Sequence, residues 1–123
     1  MQICIHRGAK EIGGSCVEVI FEGKRLIIDL GLPLDAEKND KKYLPDISGW
    51  DGLDDSLLAI LISHPHLDHF GLLAHISPRI PVIMGKDARR ISNFSEMCVY
   101  WITATIPGKR FQFTLFENKL AKK

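Results

Sequence analysis

Short apolar runs recur along the first part of the chain, and their spacing predicts strands. Residues 2–7 alternate polar and apolar side chains, as expected for a strand with one face on a core. Residues 15–21 and 25–29 are two apolar runs around a short glycine-bearing turn, which predicts a β-hairpin. Residues 57–62 are apolar throughout and predict a strand buried on both faces.

The remainder of the chain adds helices to this pattern. Residues 31–53 are rich in proline, glycine and charge, and they predict a long loop. Residues 70–76 predict a short helix and residues 81–84 another strand. Apolar side chains at helical spacing predict an amphipathic helix over 89–101, and alternation predicts a final strand over 111–115. Alternating strands and helices predict an α/β fold.

Composition narrows the class of protein. The chain has 123 residues, 46% of them hydrophobic and 25% charged, which suits one small globular domain. No apolar run reaches the roughly 18 residues that a membrane span needs, and the start lacks the apolar centre of a signal peptide. We therefore expect a cytoplasmic protein with no membrane partner. Cys4, Cys16 and Cys98 have no paired spacing, so they predict buried or half-buried thiols rather than disulfides.

Charge is spread unevenly along the chain. The formal net charge is +1, but acidic residues prevail in the first half and basic residues in the second. A basic second half suits a polyanionic substrate. A solvated surface with a lysine-rich end explains the small excess more simply.

Four potential metal ligands fall within six residues, directly after the predicted buried strand: His64, His66, Asp68 and His69. Loops at the carboxyl ends of strands are where α/β proteins place their sites. Imidazole and carboxylate suit zinc, with iron or manganese as alternatives. In an extended segment His64 and His66 point to one side and can bind one ion, whereas Asp68 and His69 lie past a turn and suit a second. A helix cap and a structural histidine would not explain so dense a cluster.

Asp29 is the second candidate for a role in the site. It ends the strand predicted over 25–29 and precedes Leu30 and Gly31. An acid at that point either caps the next turn or holds a ligating histidine from behind. The residues alone leave both alternatives open.

The segment 64–69 resembles the HxHxDH signature of the metallo-β-lactamase superfamily. Residues 26–31, Leu-Ile-Ile-Asp-Leu-Gly, resemble the first motif of that family, whose aspartate supports the site. The run Gly-Gly-Ser-Cys at 13–16 is similar to the ribonuclease J-like, RNA-processing branch. The resemblance covers nearly the whole chain but only the first half of the family's domain.

The resemblance implies an αββα sandwich and a hydrolase site with one or two zinc ions. It implies that His64 and His66 hold the first ion and that Asp68 and His69 hold the second. Asp68 would also be catalytic, orienting an attacking metal-bound hydroxide, and Asp29 would lie behind a ligand. The branch implies RNA, or another phosphodiester, as the substrate.

The family's later ligands, two histidines and a bridging aspartate, are not recognisable after His69. The remaining acids and histidine match no later motif: His75, Asp87, Glu96 and Glu117. Catalytic zinc usually takes three protein ligands and water. We therefore expect residues 1–123 to be a single partial domain, a fragment that ends before the later motifs and leaves an apolar sheet face uncovered.

Three functions stay open at this point. The first is a zinc-dependent hydrolase of the nuclease or phosphodiesterase kind. The second is a thioester, lactone or β-lactam hydrolase, because the same metal core serves all of these substrates. The third is a non-catalytic metal-binding or association module, which pairs with itself as a homo-oligomer or with a complementing C-terminal half.

Overall fold

The computed structural model describes residues 1–92, 99–102 and 115–116, whose strands form one mixed sheet. Its order follows the chain: β1 (Gln2–Arg7), β2 (Cys16–Phe21), β3 (Lys24–Ile28), β4 (Leu57–Leu61), β5 (Val82–Met84), β6 (Val99–Ile102) and β7 (Leu115–Phe116). The first three strands are antiparallel, β3 to β6 run parallel, and β7 turns back against β6. Together with its helices, this sheet confirms the predicted α/β class.

The predicted hairpin is formed by β2 and β3. Phe21 pairs with Lys24, and the two residues between them, Glu22 and Gly23, have φ values of 48° and 74°. Two positive φ values in a two-residue turn match the right-handed twist of the flanking strands. The turn sets the register, and the register directs Ile27 into the core, where it is fully buried.

A long loop, residues 29–56, connects β3 to its parallel neighbour β4, as the sequence predicted. It contains one 3-10 turn, Lys41–Tyr43. The Arg25 guanidinium, at the start of β3, fastens this loop because it donates to the carbonyl of Ser48 (3.0 Å) and to the carboxylate of Asp54 (2.8 Å). Glu18 of β2 holds the same guanidinium at 3.0 Å.

The helices differ from the predicted ones. The helix expected over 70–76 is divided into α1 (Leu67–Phe70) and a 3-10 turn, Leu73–His75. The helix expected over 89–101 is wrong in its last part. Helix α2 covers Lys86–Ser92, and residues 99–102 form strand β6. Residues 93–98 lie outside the described residues. Val-Tyr-Trp-Ile is β-branched and aromatic, so it suits a strand despite its helix-like spacing.

Most of the predicted final strand lies outside the described residues. Only Leu115–Phe116 is assigned to β7, and residues 111–114 lie outside the described residues. None of the helices in the described segments is long and apolar enough to cross a membrane.

The described core lies on one face of the sheet. Ile27, Ile60 and Val82 pair in register across β3, β4 and β5, and each has no exposed surface. The expectation that β4 is buried on both faces is wrong at Leu58, which is 46% exposed. Arg25 pairs with Leu57 and the next residue of β3 with Ala59, so Leu58 is the extra residue of a β-bulge.

The opposite face of the sheet is apolar and more open. Ile5 of β1 and Ile28 of β3 both pair with Val17, so they share a face, and they are 58% and 38% exposed. Ile3, also on β1, is 61% exposed.

Candidate metal centre

The ligand cluster lies in the turn that joins β4 to α1. Pro65 disfavours helical geometry at His64, and the chain bends over residues 63–66 before α1 begins. The chain then turns: the N–H of His66 donates to the carbonyl of His64 (3.0 Å), and that of His69 to the carbonyl of His66 (2.8 Å). These turns fold the four predicted ligands back on one another at the carboxyl end of the parallel strands.

The predicted ligands form one cluster rather than two separate pairs. The ring centroid of His64 lies 3.7 Å from that of His69 and 4.9 Å from that of His66. Asp68 places a carboxylate oxygen 3.3 Å from His69 Nε2. His69 was expected to point away from the first histidine pair, but its ring is the nearer neighbour of His64.

Asp29 reaches the cluster from the end of β3. It adopts the left-handed φ of 62° and is only 6% exposed. One carboxylate oxygen accepts the backbone N–H of Ser63 at 2.7 Å, and the other lies 2.8 Å from His69 Nδ1. Of the two roles left open for Asp29, this geometry supports the one that holds a histidine.

Ser63 was missed by the sequence reasoning and lies at the centre of this network. Its Oγ is 2.7 Å from Asp29 Oδ2, 3.0 Å from His64 Nδ1 and 3.3 Å from His69 Nδ1. The only available signal was its place between an apolar strand and the first histidine. A hydroxyl has one proton to donate. Because that proton goes to Asp29, Oγ is left to accept from the N–H of His64.

The same bonds set the tautomers of two histidines. The carboxylate of Asp29 takes the Nδ1–H of His69, and Ser63 takes the Nδ1–H of His64. In this arrangement Nε2 of each ring lies on the side away from the partner of Nδ1, which is typical of metal-ligating histidines. Asp68 Oδ2 lies 3.3 Å from Nε2 of His69.

Glycines allow two other segments to approach the cluster. A Cβ on Gly31 would lie 1.7 Å from the carbonyl oxygen of Asp68, so only glycine fits there. A Cβ on Gly13, whose φ is +78°, would lie 3.0 Å from Asp68 Cβ. Ser15 donates its N–H to the Asp68 carbonyl at 3.2 Å. Both stretches that suggested the family therefore pack directly against the turn that carries the candidate ligands.

The donor types fit zinc, but their number is small. Across the described segments, no three His, Cys, Asp or Glu side chains are arranged to hold one ion. His75 lies apart, bound to Asn39 Oδ1 at 2.7 Å, and Asp87 pairs with Arg90 on α2 at 3.6 Å. Glu96 and Glu117 lie outside the described residues. The described chain thus offers no more than two converging donors to an ion.

Neither of the two described cysteines, Cys4 and Cys16, belongs to the ligand cluster. Cys16 is 1% exposed, and burial, aided by the nearby charge of Glu18, raises the pKa of its thiol to about 12. It therefore stays protonated and packs as an apolar side chain. Cys4 is exposed, which corrects the expectation of a buried or half-buried thiol. Its strand lies at the edge of the sheet.

Comparison with known proteins identifies the family of the chain. The profile of the Metallo-beta-lactamase superfamily matches residues 9–91, which include Asp29 and the whole ligand cluster. The chain belongs to the metallo-β-lactamase superfamily.

Its curated relatives come from RNA-processing branches. It is 35% identical to cleavage and polyadenylation specificity factor subunit 3-II of Arabidopsis thaliana, over 60% of this chain and 12% of the relative. It is 36% identical to Integrator complex subunit 11 of Gallus gallus, over 67% and 14%. The RNase J-like protein of Methanocaldococcus jannaschii is 34% identical, over 55% and 14%. The predicted resemblance is confirmed, and the chain spans about a seventh or less of these relatives.

A solved structure supports the fold. A protein of unknown function from Enterococcus faecalis V583 superposes with a TM-score of 0.59 at 22% identity, covering 74% of this chain and 27% of that one. At this identity the likeness concerns the fold alone.

Proposed function

We propose that this chain is the metal-binding part of a zinc-dependent hydrolase that cleaves phosphodiester bonds in RNA. The observation that carries the proposal is the convergence of Asp29 and Ser63 on Nδ1 of two histidines, which leaves Nε2 of each ring as the proposed ligating atom. A structural histidine needs one satisfied nitrogen, but it does not need a neighbouring ring prepared in the same way.

In this proposal His64 and His66 hold one ion, and Asp68 with His69 hold a second or contribute to the same one. Zinc, when bound, acidifies water and polarises the oxygens of a phosphate ester. The chain's own work is orientation. Asp29 fixes the ring of His69, and Asp68, whose carboxylate lies beside His69 Nε2, orients the attacking water.

RNA is the proposed substrate because of what the relatives of the chain are named for. One relative is named as an RNase J-like protein and another as a cleavage factor subunit. Both are far longer than the matched region, which covers 12% of one and 14% of the other. The match to the superfamily covers residues 9–91, which include the ligand turn and the glycines packed against it.

A second candidate rests on the small number of converging donors. Catalytic zinc usually has three protein ligands, and the described residues bring no such group together. A chain of this kind would bind metal and associate with another chain without turnover. The open apolar face around Ile5 and Ile28 suits such an association.

The test compares metal content and cleavage in matched variants of the full chain. We would measure zinc by mass spectrometry and incubate the protein with end-labelled single-stranded RNA, a thioester and a β-lactam. His66→Ala removes a proposed ligand, and His75→Ala is its control because His75 lies outside the cluster.

Zinc-dependent RNA cleavage that is lost in His66→Ala but kept in His75→Ala would support the proposal. Bound zinc without cleavage, in a multimeric protein, would select the association module. Cleavage of the thioester or β-lactam alone would replace the RNA substrate. A wild-type chain that binds no metal would overturn every form of the proposal.

A further inference from the structure

Strand β1 carries an exposed thiol beside an imidazole and a buried carboxylate. Cys4 and His6 are two positions apart, and the ladder between β1 and β2 is bulged between Ile5 and Arg7. Cys4 Sγ lies 3.9 Å from His6 Nδ1, and His6 Nε2 lies 2.8 Å from Glu18 Oε2. Glu18 is also the residue that pairs with Cys4 across the β1–β2 ladder. The three side chains form a thiol–imidazole–carboxylate series, an arrangement that activates nucleophilic cysteines.

The carboxylate of this series is held in place and charged. Glu18 is 6% exposed, and its second oxygen accepts from Arg25 Nη1 at 3.0 Å. Burial raises the pKa of Glu18, but the bonds from His6 and Arg25 outweigh it, and the pKa is lowered overall. A charged Glu18 takes the Nε2–H of His6. The lone pair of Nδ1 then faces the thiol.

His6, the middle member of this series, also borders an open concavity. Residues 6–11 line an open concavity of about 360 Å³. Its charged side chains are the cations Arg7 and Lys10 and the acid Glu11, which lies 3.2 Å from Arg7 Nε. The balance is positive, so the concavity favours a reagent that carries carboxylates.

We infer that Cys4 is a site of reversible modification by low-molecular-weight disulfides that carry carboxylates, with His6 as the base. Cys4 Sγ attacks one sulfur of the disulfide while its proton passes to His6 Nδ1. A new S–S bond forms to Cys4, the S–S bond of the reagent breaks, and the departing sulfur takes a proton as a free thiol. Cys4 is oxidised and the departing half is reduced, so no further oxidant is needed.

This site is independent of the proposed metal centre. It uses none of the residues 63–69, and its outcome says nothing about hydrolysis. It is also distinct from Cys16, because that thiol is buried and its pKa of about 12 keeps it protonated at neutral pH.

The experiment measures the rate of thiol–disulfide exchange in the full chain carrying Cys98→Ser. The probe is 5,5′-dithiobis(2-nitrobenzoate), a carboxylate-bearing disulfide that releases a coloured thiol. Oxidised glutathione, followed by peptide mass spectrometry, identifies the modified residue. The variants are His6→Gln, its control His75→Gln, and Cys4→Ser. Each variant that keeps Cys4 should show one reacting thiol in buffer and a second one after urea is added. This result shows that Cys16 is buried and that the variant is folded.

We expect His6→Gln to slow the exchange about ten-fold at pH 7, less than the roughly 100-fold of a well-placed base, because the sulfur–nitrogen contact is long. The difference should shrink above a pH of about 9, where thiols ionise without a base. His75→Gln should react like the wild type, and Cys4→Ser should not react.

Three results would overturn the inference. One is a His6→Gln rate within two-fold of the wild type at pH 7. Another is a rate difference that persists unchanged at high pH, which would mean that His6 acts only through the structure around it. The last is glutathione attached to a residue other than Cys4.

Discussion

Asp29 and His69 are forty positions apart in the chain, yet the carboxylate of one lies 2.8 Å from Nδ1 of the other. The contact joins the end of β3 to the turn after β4, so it forms only when these two parallel strands are paired. It also fixes the face that His69 presents to the centre of the cluster. The orientation of a proposed ligand therefore depends on the completed sheet.

Removing the charge at Asp29 should weaken metal binding without unfolding the chain. Asparagine tolerates the positive φ of this position, so Asp29→Asn keeps the backbone but loses the anion that holds His69. We expect zinc affinity to fall about 10–100-fold, the usual effect of losing such a partner. Competition with a chromophoric chelator measures it. The exposed loop residue Asp46, changed to Asn, is the control, and equal affinities in the two variants would contradict the role of Asp29.

Ser63→Ala should alter the tautomer of one histidine and spare the other. Without the hydroxyl, His64 Nδ1–H loses its acceptor, whereas His69 keeps the carboxylate of Asp29. We expect the ring ¹⁵N shifts of His64 to move towards the Nε2–H form in metal-free protein, with those of His69 little changed. The loss in free energy of unfolding should be about 1 kcal/mol. Unchanged shifts for His64 would show that Ser63 does not set its tautomer.

Gly31→Ala should displace the turn that carries the candidate ligands. Its Cβ would lie 1.7 Å from the Asp68 carbonyl oxygen, a contact that forces the backbone apart. We expect a loss of about 3 kcal/mol or more in the free energy of unfolding by urea. Gly85→Ala is the matched control because a Cβ there meets nothing within 4 Å. That control should stay within about 0.5 kcal/mol of the wild type; equal losses in both variants would refute the close approach.

Acid should destabilise the chain partly through Glu18. Its pKa in the folded state is lowered from 4.5, so the folded state gains stability from the ionised carboxylate above that value. This gain is lost as the pH falls from about 4.5 through the lower pKa of the folded state. Glu18→Gln should lower the free energy of unfolding by about 2–3 kcal/mol at pH 7. The difference in this free energy between the variant and the wild type should become smaller in acid.

Urea titrations between pH 3 and pH 7 measure this narrowing. Glu37→Gln, in the loop after β3, should follow the wild type across the whole range. A Glu18→Gln deficit that is constant with pH would mean that the glutamate acts through packing rather than charge.

Local patterns in the sequence predicted the strands, the long loop and the position of the ligand turn, because each depends on neighbouring residues. They did not reveal Ser63, since its partner Asp29 lies 34 positions away and no local spacing encodes that contact. The exposure of Leu58 also escaped prediction, because it arises from a bulge between two strands. The helix predicted over residues 89–101 was wrong in its last part, where the structure has strand β6. Over so short a run, the spacing of apolar residues fits the period of a strand as well as that of a helix.

The spatial order of the strands, β1 to β7, repeats their order along the chain. No described strand has to be inserted between two that are already paired, so the sheet can grow at one edge as the polypeptide emerges. The ligand turn is secured late in that sequence, when the Leu30 N–H meets the carbonyl of His69 at 2.8 Å. The ligand turn is thus held by backbone that precedes it in the chain, so its final shape depends on strands that are already in place.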